Sequence, residues 1–280
     1  TLDAGAGDDT LPADPGADQL IGGPGTDLAD YSSRTTNLTI SLDDQAGDGD
    51  PKENDNVMSD VENLIGGSGN DHFIGSYAQK IANTFWTNGG DDTLDGGWGN
   101  DTLWGGDGFD IADYSNPLRN SDQWNPGGIQ QLRLNQGTGI PGEKDIPHDD
   151  VEGLIGGSGY DWLEGDGNDN LLIGNGGNDV IIGRSGNDTL IGGPGSDIIG
   201  HDPHGVSADD KDGGDDTIFG GQAVYQNGTW VPVNKNNDGS EDLINDKVGE
   251  NTLFYDATSP DEDLLDTVPG STDVDSPWPF

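Results

Sequence analysis

The chain has no cysteine, few basic residues and few apolar ones, and each shortage excludes a class of protein. Without cysteine it can form neither disulfide bonds nor thiolate metal sites. Only 10 Lys and Arg stand against 54 Asp and Glu in 280 residues, which gives a formal charge of −44. Such a chain cannot neutralise a nucleic-acid backbone, and an anionic membrane surface would repel it. No apolar run approaches the length of a membrane-spanning helix.

Glycine and aspartate are what the chain has in excess. With 49 Gly, 15 Pro and only 29% hydrophobic residues, the composition alone is typical of a disordered protein. However, 46 of the acidic residues are Asp and only 8 are Glu, whereas an acidic surface that merely binds water has no reason to avoid Glu. Because Asp has one methylene group, it can hold its carboxylate close to its own backbone in a turn. The excess of Asp therefore indicates ordered turns.

The glycines and aspartates recur with a period of nine residues. Residues 174–182, 183–191 and 192–200 share the pattern Gly-x-x-Gly-x-Asp-x-apolar-x, and 192–200 read Gly-Gly-Pro-Gly-Ser-Asp-Ile-Ile-Gly. The frame is found in thirteen nonamers, which lie at 4–30, 66–74, 87–113, 156–200 and 211–219. The eighth position is apolar in all of them. The sixth position holds Asp9, Asp18, Asp27, Asp71, Asp92, Asp101, Asp110, Asp161, Asn170, Asp179, Asp188, Asp197 and Asp216.

This pattern resembles the Gly-Gly-x-Gly-x-Asp-x-U-x repeat (U, a large apolar residue) of the RTX, or repeats-in-toxin, calcium-binding family. The resemblance implies an all-β fold, a right-handed parallel β-roll. The glycine-rich half of each nonamer suits a tight turn, because glycine allows positive φ and close backbone approach. The last three positions suit a short strand whose middle side chain points inward.

Two nonamers complete one coil of such a roll, so sixth positions eighteen residues apart lie on the same edge. Successive coils are separated by the inter-strand distance of about 4.8 Å. Asp9 then stacks with Asp27, Asp92 with Asp110, and Asp179 with both Asp161 and Asp197, while Asn170 makes a weaker pair with Asp188. Carboxylates and glycine carbonyls together form the all-oxygen environment that Ca²⁺ prefers. We therefore expect multiple Ca²⁺ ions as cofactors, with the thirteen sixth-position residues as ligands.

Two segments leave the nonamer frame and resemble each other. Both are entered through Ala-Asp-Tyr-Ser, and they end at Val61-Glu62-Asn63-Leu64 and at Val151-Glu152-Gly153-Leu154. We interpret them as enlarged coils of one roll. The predicted organisation is an RTX-like roll over residues 1–221, with excursions at about 31–65 and 114–155, followed by a C-terminal cap and acidic tail over 222–280.

Other groupings of polar residues are less specific. The segment that begins at Asn234 loosely follows the spacing of an EF-hand loop but lacks the final Glu, so a polar turn is the alternative. His201, Asp202 and His204 could bind a transition metal or simply lie in a loop. The seven Trp could stack on sugar rings or pack between coils. The chain has no His-Glu-x-x-His, no Gly-x-Ser-x-Gly and no Cys nucleophile, which predicts a protein that is not an enzyme.

These observations lead to a functional hypothesis with one alternative. We expect an extracellular or cell-surface structural or adhesive protein that Ca²⁺ folds, with calcium ions as its partners and neither nucleic acid nor a membrane span. Thr1–Asp3 fit strand positions of a repeat, so head-to-tail self-association into a filament or surface layer is also expected. The alternative is a calcium-dependent secretion and folding module of a larger RTX-type protease or lipase.

Overall fold

The computed structural model describes residues 1–116, 130–134 and 144–200, together with seven short strands between residues 217 and 273. Every regular element among these residues is a β-strand, and most strands are three residues long. In chain order the strands are β1 (Leu2–Asp3), β2 (Thr10–Pro12), β3 (Gln19–Ile21), β4 (Leu28–Asp30), β5 (Thr39–Ser41), β6 (Asn56–Val57), β7 (Asn63–Ile65), β8 (His72–Ile74), β9 (Thr84–Trp86), β10 (Thr93–Asp95), β11 (Thr102–Trp104), β12 (Ile111–Asp113), β13 (Gln130–Arg133), β14 (Ile146–Pro147), β15 (Gly153–Ile155), β16 (Asp161–Glu164), β17 (Leu171–Ile173), β18 (Val180–Ile182), β19 (Thr189–Ile191), β20 (Ile198–Gly200), β21 (Thr217–Phe219), β22 (Ala223–Gln226), β23 (Thr229–Pro232), β24 (Leu243–Asn245), β25 (Thr252–Phe254), β26 (Leu264–Leu265) and β27 (Thr272–Asp273).

The chain divides into two compact units, of which the first comprises Thr1–Asp113 and Leu134–Val151. Its strands form three runs of parallel neighbours, in the orders β1-β3-β6, β2-β4-β7-β9-β11-β14 and β5-β8-β10-β12. In the regular coils the pairing joins residues eighteen positions apart, as in Thr10 with Leu28 and Thr93 with Ile111. The all-β parallel roll predicted from the repeat is therefore confirmed.

The second unit comprises Tyr114–Arg133 and Glu152–Phe280. Two parallel sheets run through it, in the orders β13-β16-β18-β20-β24-β26 and β15-β17-β19-β21-β25-β27. The strands β24 to β27 lie in the segment predicted as a cap, and they continue both ladders with parallel pairing. The same segment contains one antiparallel hairpin, β22–β23.

The core is made by the middle residue of each strand. Most three-residue strands of the first unit alternate between exposed or half-buried ends and a buried centre, as the period of two requires. In the second unit, β15 and β17 to β21 bury at least one end as well as the centre. In the first unit the buried side chains stack from coil to coil, and Phe73 meets Phe85 edge to face at 5.8 Å between ring centroids. In the second unit Leu163, Ile181 and Ile199 form an equivalent stack with no exposed surface.

The first enlarged coil lies entirely within the first unit, and one sheet ends and another begins within it. Strand β4 pairs with β7 across 35 residues, and the chain between them contributes two further strands. Strand β6 ends the sheet that began with β1, whereas β5 begins the sheet that continues through β8. The buried hydroxyl of Tyr31 donates to Asp55 Oδ2 at 3.0 Å, which anchors the start of β6.

The strands of the second excursion lie in different units. Strand β14 belongs to the first unit, where it pairs with β11 across 44 residues. Strand β13 belongs to the second unit, where it pairs with β16. Each excursion thus contributes a strand before the chain returns to the nonamer frame, β5 in the first and β13 in the second.

Candidate metal sites

The sixth residue of each nonamer is positioned by the strand that follows it. Because paired strands are in register, the residues that precede them stack into what we call acidic columns. The registers define five columns: Asp9, Asp27, Glu62, Asn83, Asp101 and Asp145; Asp18 and Asp55; Asp71, Asp92 and Asp110; Asp161, Asp179 and Asp197; and Glu152, Asn170 and Asp188.

One oxygen of each stacked carboxylate is used by the backbone. In the second unit the Asp161 N–H donates to Asp179 Oδ1 and the Asp179 N–H donates to Asp197 Oδ1, both at 2.8 Å. The first unit repeats the arrangement from Asp9 to Asp27 at 2.9 Å. This bond links one coil to the next and requires an acidic or amide side chain immediately before the strand.

The other carboxylate oxygen has no such partner at three well-buried positions. Asp27, Asp161 and Asp179 are at most 1% exposed, and one oxygen of each lies buried without a hydrogen bond. A buried polar atom left without a partner costs about 1–3 kcal/mol, and more when it is charged. These oxygens therefore favour a bound cation.

Glycine at the first nonamer position leaves a small space beside the sixth-position carboxylate. A Cβ added to Gly156 would lie 2.6 Å from Asp161 Oδ2, the oxygen that accepts the Gly157 N–H, and 2.9 Å from the carbonyl oxygen of Gly174. A Cβ added to Gly174 would likewise meet the Asp179 carboxylate, and the Gly192 carbonyl oxygen at 2.7 Å. A carboxylate and a carbonyl oxygen from successive coils thus converge beside the first-position glycine, in a space that we call the cradle. Both are hard oxygen ligands of the kind that Ca²⁺ takes.

The ligands must include main-chain oxygens. Among the described residues, no three side chains of Asp, Glu or His converge on a single point. The donor set at each cradle is therefore mixed, with carboxylates and carbonyls contributed by neighbouring coils. This composition fits Ca²⁺ better than a transition metal, which would select imidazole or thiolate ligands.

The glycine-rich turns match the model of a known family. The model of the RTX calcium-binding nonapeptide repeat (4 copies) matches residues 1–29, 59–77, 81–112, 154–181 and 164–199. The nonamers of this chain are RTX calcium-binding repeats. Ca²⁺ is therefore the cofactor of the chain, bound at multiple sites. No curated protein matches the chain. The described residues include no helix that could span a membrane.

Burial raises the pKa of several aspartates in the repeats. Desolvation raises the pKa of Asp161 to about 7 and that of Asp179 to about 8, against the hydrogen bonds from Gly157 and Asp161 that favour their ionised forms. Desolvation also raises the pKa of Asp71 to about 6. In the absence of a cation, the roll therefore binds protons in these columns near neutral pH.

Some of the predicted ligands differ from the buried aspartates in their exposure or their hydrogen bonds. Asp18 is partly exposed, its backbone N–H donates to Asp55 at 2.8 Å, and its carboxylate lies 3.4 Å from the N-terminal amine. Asn170 uses its amide oxygen within its own turn, where it accepts from Asp166 N–H at 2.8 Å. Asp216, His201, Asp202 and His204 lie outside the described residues, as does all but the last three residues of the segment that begins at Asn234.

Four acidic residues occupy column positions that the nonamer pattern does not reveal: Asp55, Glu62, Asp145 and Glu152. Asp55 and Asp145 accept hydrogen bonds from Asp18 and Asp101 at 2.8 and 2.9 Å, and Glu62 accepts from Asp27 at 2.7 Å. Each acid is followed by one variable residue and then a buried strand residue, but the sequence lacks glycine at the positions that correspond to the first, second and fourth of a nonamer. The triplet of an acid, any residue and a buried strand residue was therefore the available signal, and it is weak without the glycines.

The raised pKa values predict that acid can partly replace the metal. The carboxyl pKa is about 3.9 in an unfolded chain, so the metal-free fold binds protons more tightly than the unfolded state. The stability that this provides is complete below about pH 4 and is lost as pH rises through the folded values of about 7 and about 8. Metal-stripped protein should gain β-structure in far-UV circular dichroism as pH falls from 8 to 5. A metal-free spectrum that is constant over this range would contradict the prediction.

The columns also predict the effect of a single substitution. Asp179 stacks against both Asp161 and Asp197, so Asp179→Asn should weaken two calcium sites by about tenfold or more. The control is Asp169→Asn, because exposed Asp169 also accepts a backbone N–H eighteen residues away, from Asn187 at 2.8 Å. Calorimetric titration with Ca²⁺ measures both variants. Equal losses in the two would refute the stacking of sites.

Proposed function

We propose that the chain is an extracellular structural or adhesive protein whose roll is folded and stiffened by Ca²⁺, and that it has no catalytic activity of its own. The observation that carries the proposal is the set of buried carboxylate oxygens that face main-chain carbonyls without a hydrogen-bond partner, seen at Asp27 and Asp179. A column of ionised carboxylates is stable only when a cation joins its members. The metal therefore acts as part of the core.

The electrostatic balance supports calcium as a folding switch. Two charges about 4.8 Å apart repel by about 3 kcal/mol at an effective dielectric constant of about 20. A net hydrogen bond to a charged group contributes only about 1.5–3 kcal/mol. Without cations the repulsion along a column therefore cancels the bonds between coils, and the formal charge of −44 adds to it.

The expected affinity supports an extracellular location. Oxygen sites of extracellular modules bind Ca²⁺ with Kd values of about 10⁻⁴–10⁻³ M, which suits surroundings with millimolar calcium. Sites shared between coils bind cooperatively, since each ion orders the ligands of the next one. In this setting the roll would fold only after it reached the calcium-rich side of the membrane.

The same geometry allows two partners for the ends of the roll. Among the described strands, β1 is bonded along one edge to β3 and β2 along one edge to β4, while Leu2 is 39% exposed. A second roll could extend these ladders head to tail and produce a filament or surface layer. The alternative is a covalent neighbour, in which case the chain serves as the secretion and folding module of a larger RTX-type protease or lipase.

Calcium-dependent folding is tested by circular dichroism at low salt and pH 8. With chelator the chain should be largely unfolded, and millimolar Ca²⁺ should restore β-structure in a cooperative transition. Mg²⁺ at the same concentration should fail, because it prefers a smaller octahedral shell and retains its water. A spectrum that chelator leaves unchanged would contradict the proposal.

Electron microscopy with and without Ca²⁺ distinguishes self-association from the module alternative. The structural proposal predicts filaments or sheets that form in millimolar Ca²⁺ and disperse with chelator. Glu substituted for exposed Leu2 should prevent assembly without changing calcium-induced folding. Single, monodisperse particles under both conditions would leave the module alternative.

A further inference from the structure

The first enlarged coil closes against a glycine turn of the neighbouring coil. The Asp60 carboxylate accepts hydrogen bonds from the N–H groups of Gly22 and Gly23, at 3.2 and 3.0 Å. Two residues later, Glu62 Oε2 accepts the N–H of Asp27 at 2.7 Å. A segment without any nonamer therefore places two acidic side chains on a nonamer turn.

Two oxygens converge beside Gly22 as they do in the regular coils. A Cβ added to Gly22 would lie 2.6 Å from Asp27 Oδ2 and 2.5 Å from the main-chain oxygen of Asp60. Asp27 has no exposed surface, and its Oδ2 has no hydrogen-bond partner. The Asp60 carbonyl thus takes the place that the Gly174 carbonyl holds beside Gly156.

The charge around this cradle is negative. Asp60 and Glu62 accept backbone N–H groups of the turn to which Asp27 belongs, and none of these three acids takes part in a described ion pair. A buried carboxylate oxygen in such surroundings requires a counter-charge. Because the converging donors are oxygens, a hard divalent cation fits better than a soft one.

We propose that Asp27, Asp60 and Glu62 form a calcium site within the enlarged coil, outside the nonapeptide pattern. Asp27 Oδ2 and the Asp60 main-chain oxygen contact the ion, while Glu62 positions Asp27 through its backbone and adds the negative charge that favours a cation there. This inference rests on the proposed calcium-dependent folding. The series of calcium sites therefore continues through the enlarged coil, and one ion joins residues more than thirty positions apart in the chain.

The second excursion ends in a related arrangement within the first unit. Asp150 Oδ2 accepts the Gly106 N–H at 3.1 Å, and the Asp150 carbonyl oxygen faces the place where a Cβ of Gly105 would lie. Asp150 Oδ1 is buried without a hydrogen bond. Asp60 and Asp150 both begin an Asp-Val-Glu sequence, so the closing segments share the feature that forms the site.

The site is tested with two variants of the full chain and a matched control. Gly22→Ala fills the cradle without changing charge, and Glu62→Gln removes the charge beside Asp27 without changing size. Gly167→Ala is the control, because a Cβ there would meet nothing within 4 Å. In calorimetric titration with Ca²⁺, each test variant should lose one ion or bind it about tenfold or more weakly. The control should match the wild type.

The outcomes separate this inference from the proposed function. If the wild type neither binds Ca²⁺ nor folds with it, the proposed function fails. If the wild type does both, and Glu62→Gln retains every ion at unchanged affinity, only the enlarged-coil site is refuted. Circular dichroism at saturating Ca²⁺ establishes that each variant is folded; if Gly22→Ala is not, the comparison of Glu62→Gln with the wild type decides.

Discussion

Stacked carboxylates buried between successive coils are the constraint on which the rest of this structure depends. Sixth-position aspartates such as Asp27 and Asp110 accept a backbone N–H from the coil before them, and in the Asp161, Asp179 and Asp197 column this happens twice in succession. The hydrogen bond that joins two coils therefore also brings two negatively charged carboxylates to the distance between neighbouring strands. Neutral packing of the strand centres cannot remove that repulsion, but a cation between the carboxylates can.

The glycines follow from the same constraint. At the first nonamer position a side chain would enter the cradle beside the carboxylate, as at Gly156. At the fourth position the turns of successive coils pack backbone to backbone, and Gly177 both adopts a φ of +142° and lies against the Gly159 carbonyl. One position keeps space for the ion, and the other allows the coils to approach closely enough to share it.

The regular coils could be predicted from the sequence because each step of their geometry is local. The nonamer pattern identifies the turn, the strand and the inward-facing residue. The eighteen-residue length of a coil then predicts which residues pair between strands, such as Val180 with Ile198. The enlarged coils could not be predicted in this way, because their registers of 35 and 44 residues depend on which distant strand the returning chain meets. For this reason Asp55, Glu62 and Asp145 escaped a search based on period, although they occupy the same columns.

The central claim is that cations, rather than protons, hold the acidic columns at neutral pH. It is tested most directly by anomalous diffraction from crystals grown with Ca²⁺ at pH 7.5, at a wavelength where calcium scatters anomalously. The account predicts anomalous peaks in contact with the carboxylates of Asp161 and Asp179 and with the carbonyl oxygens of the adjacent glycines. Ordered columns with the same stacking but without anomalous density would contradict it.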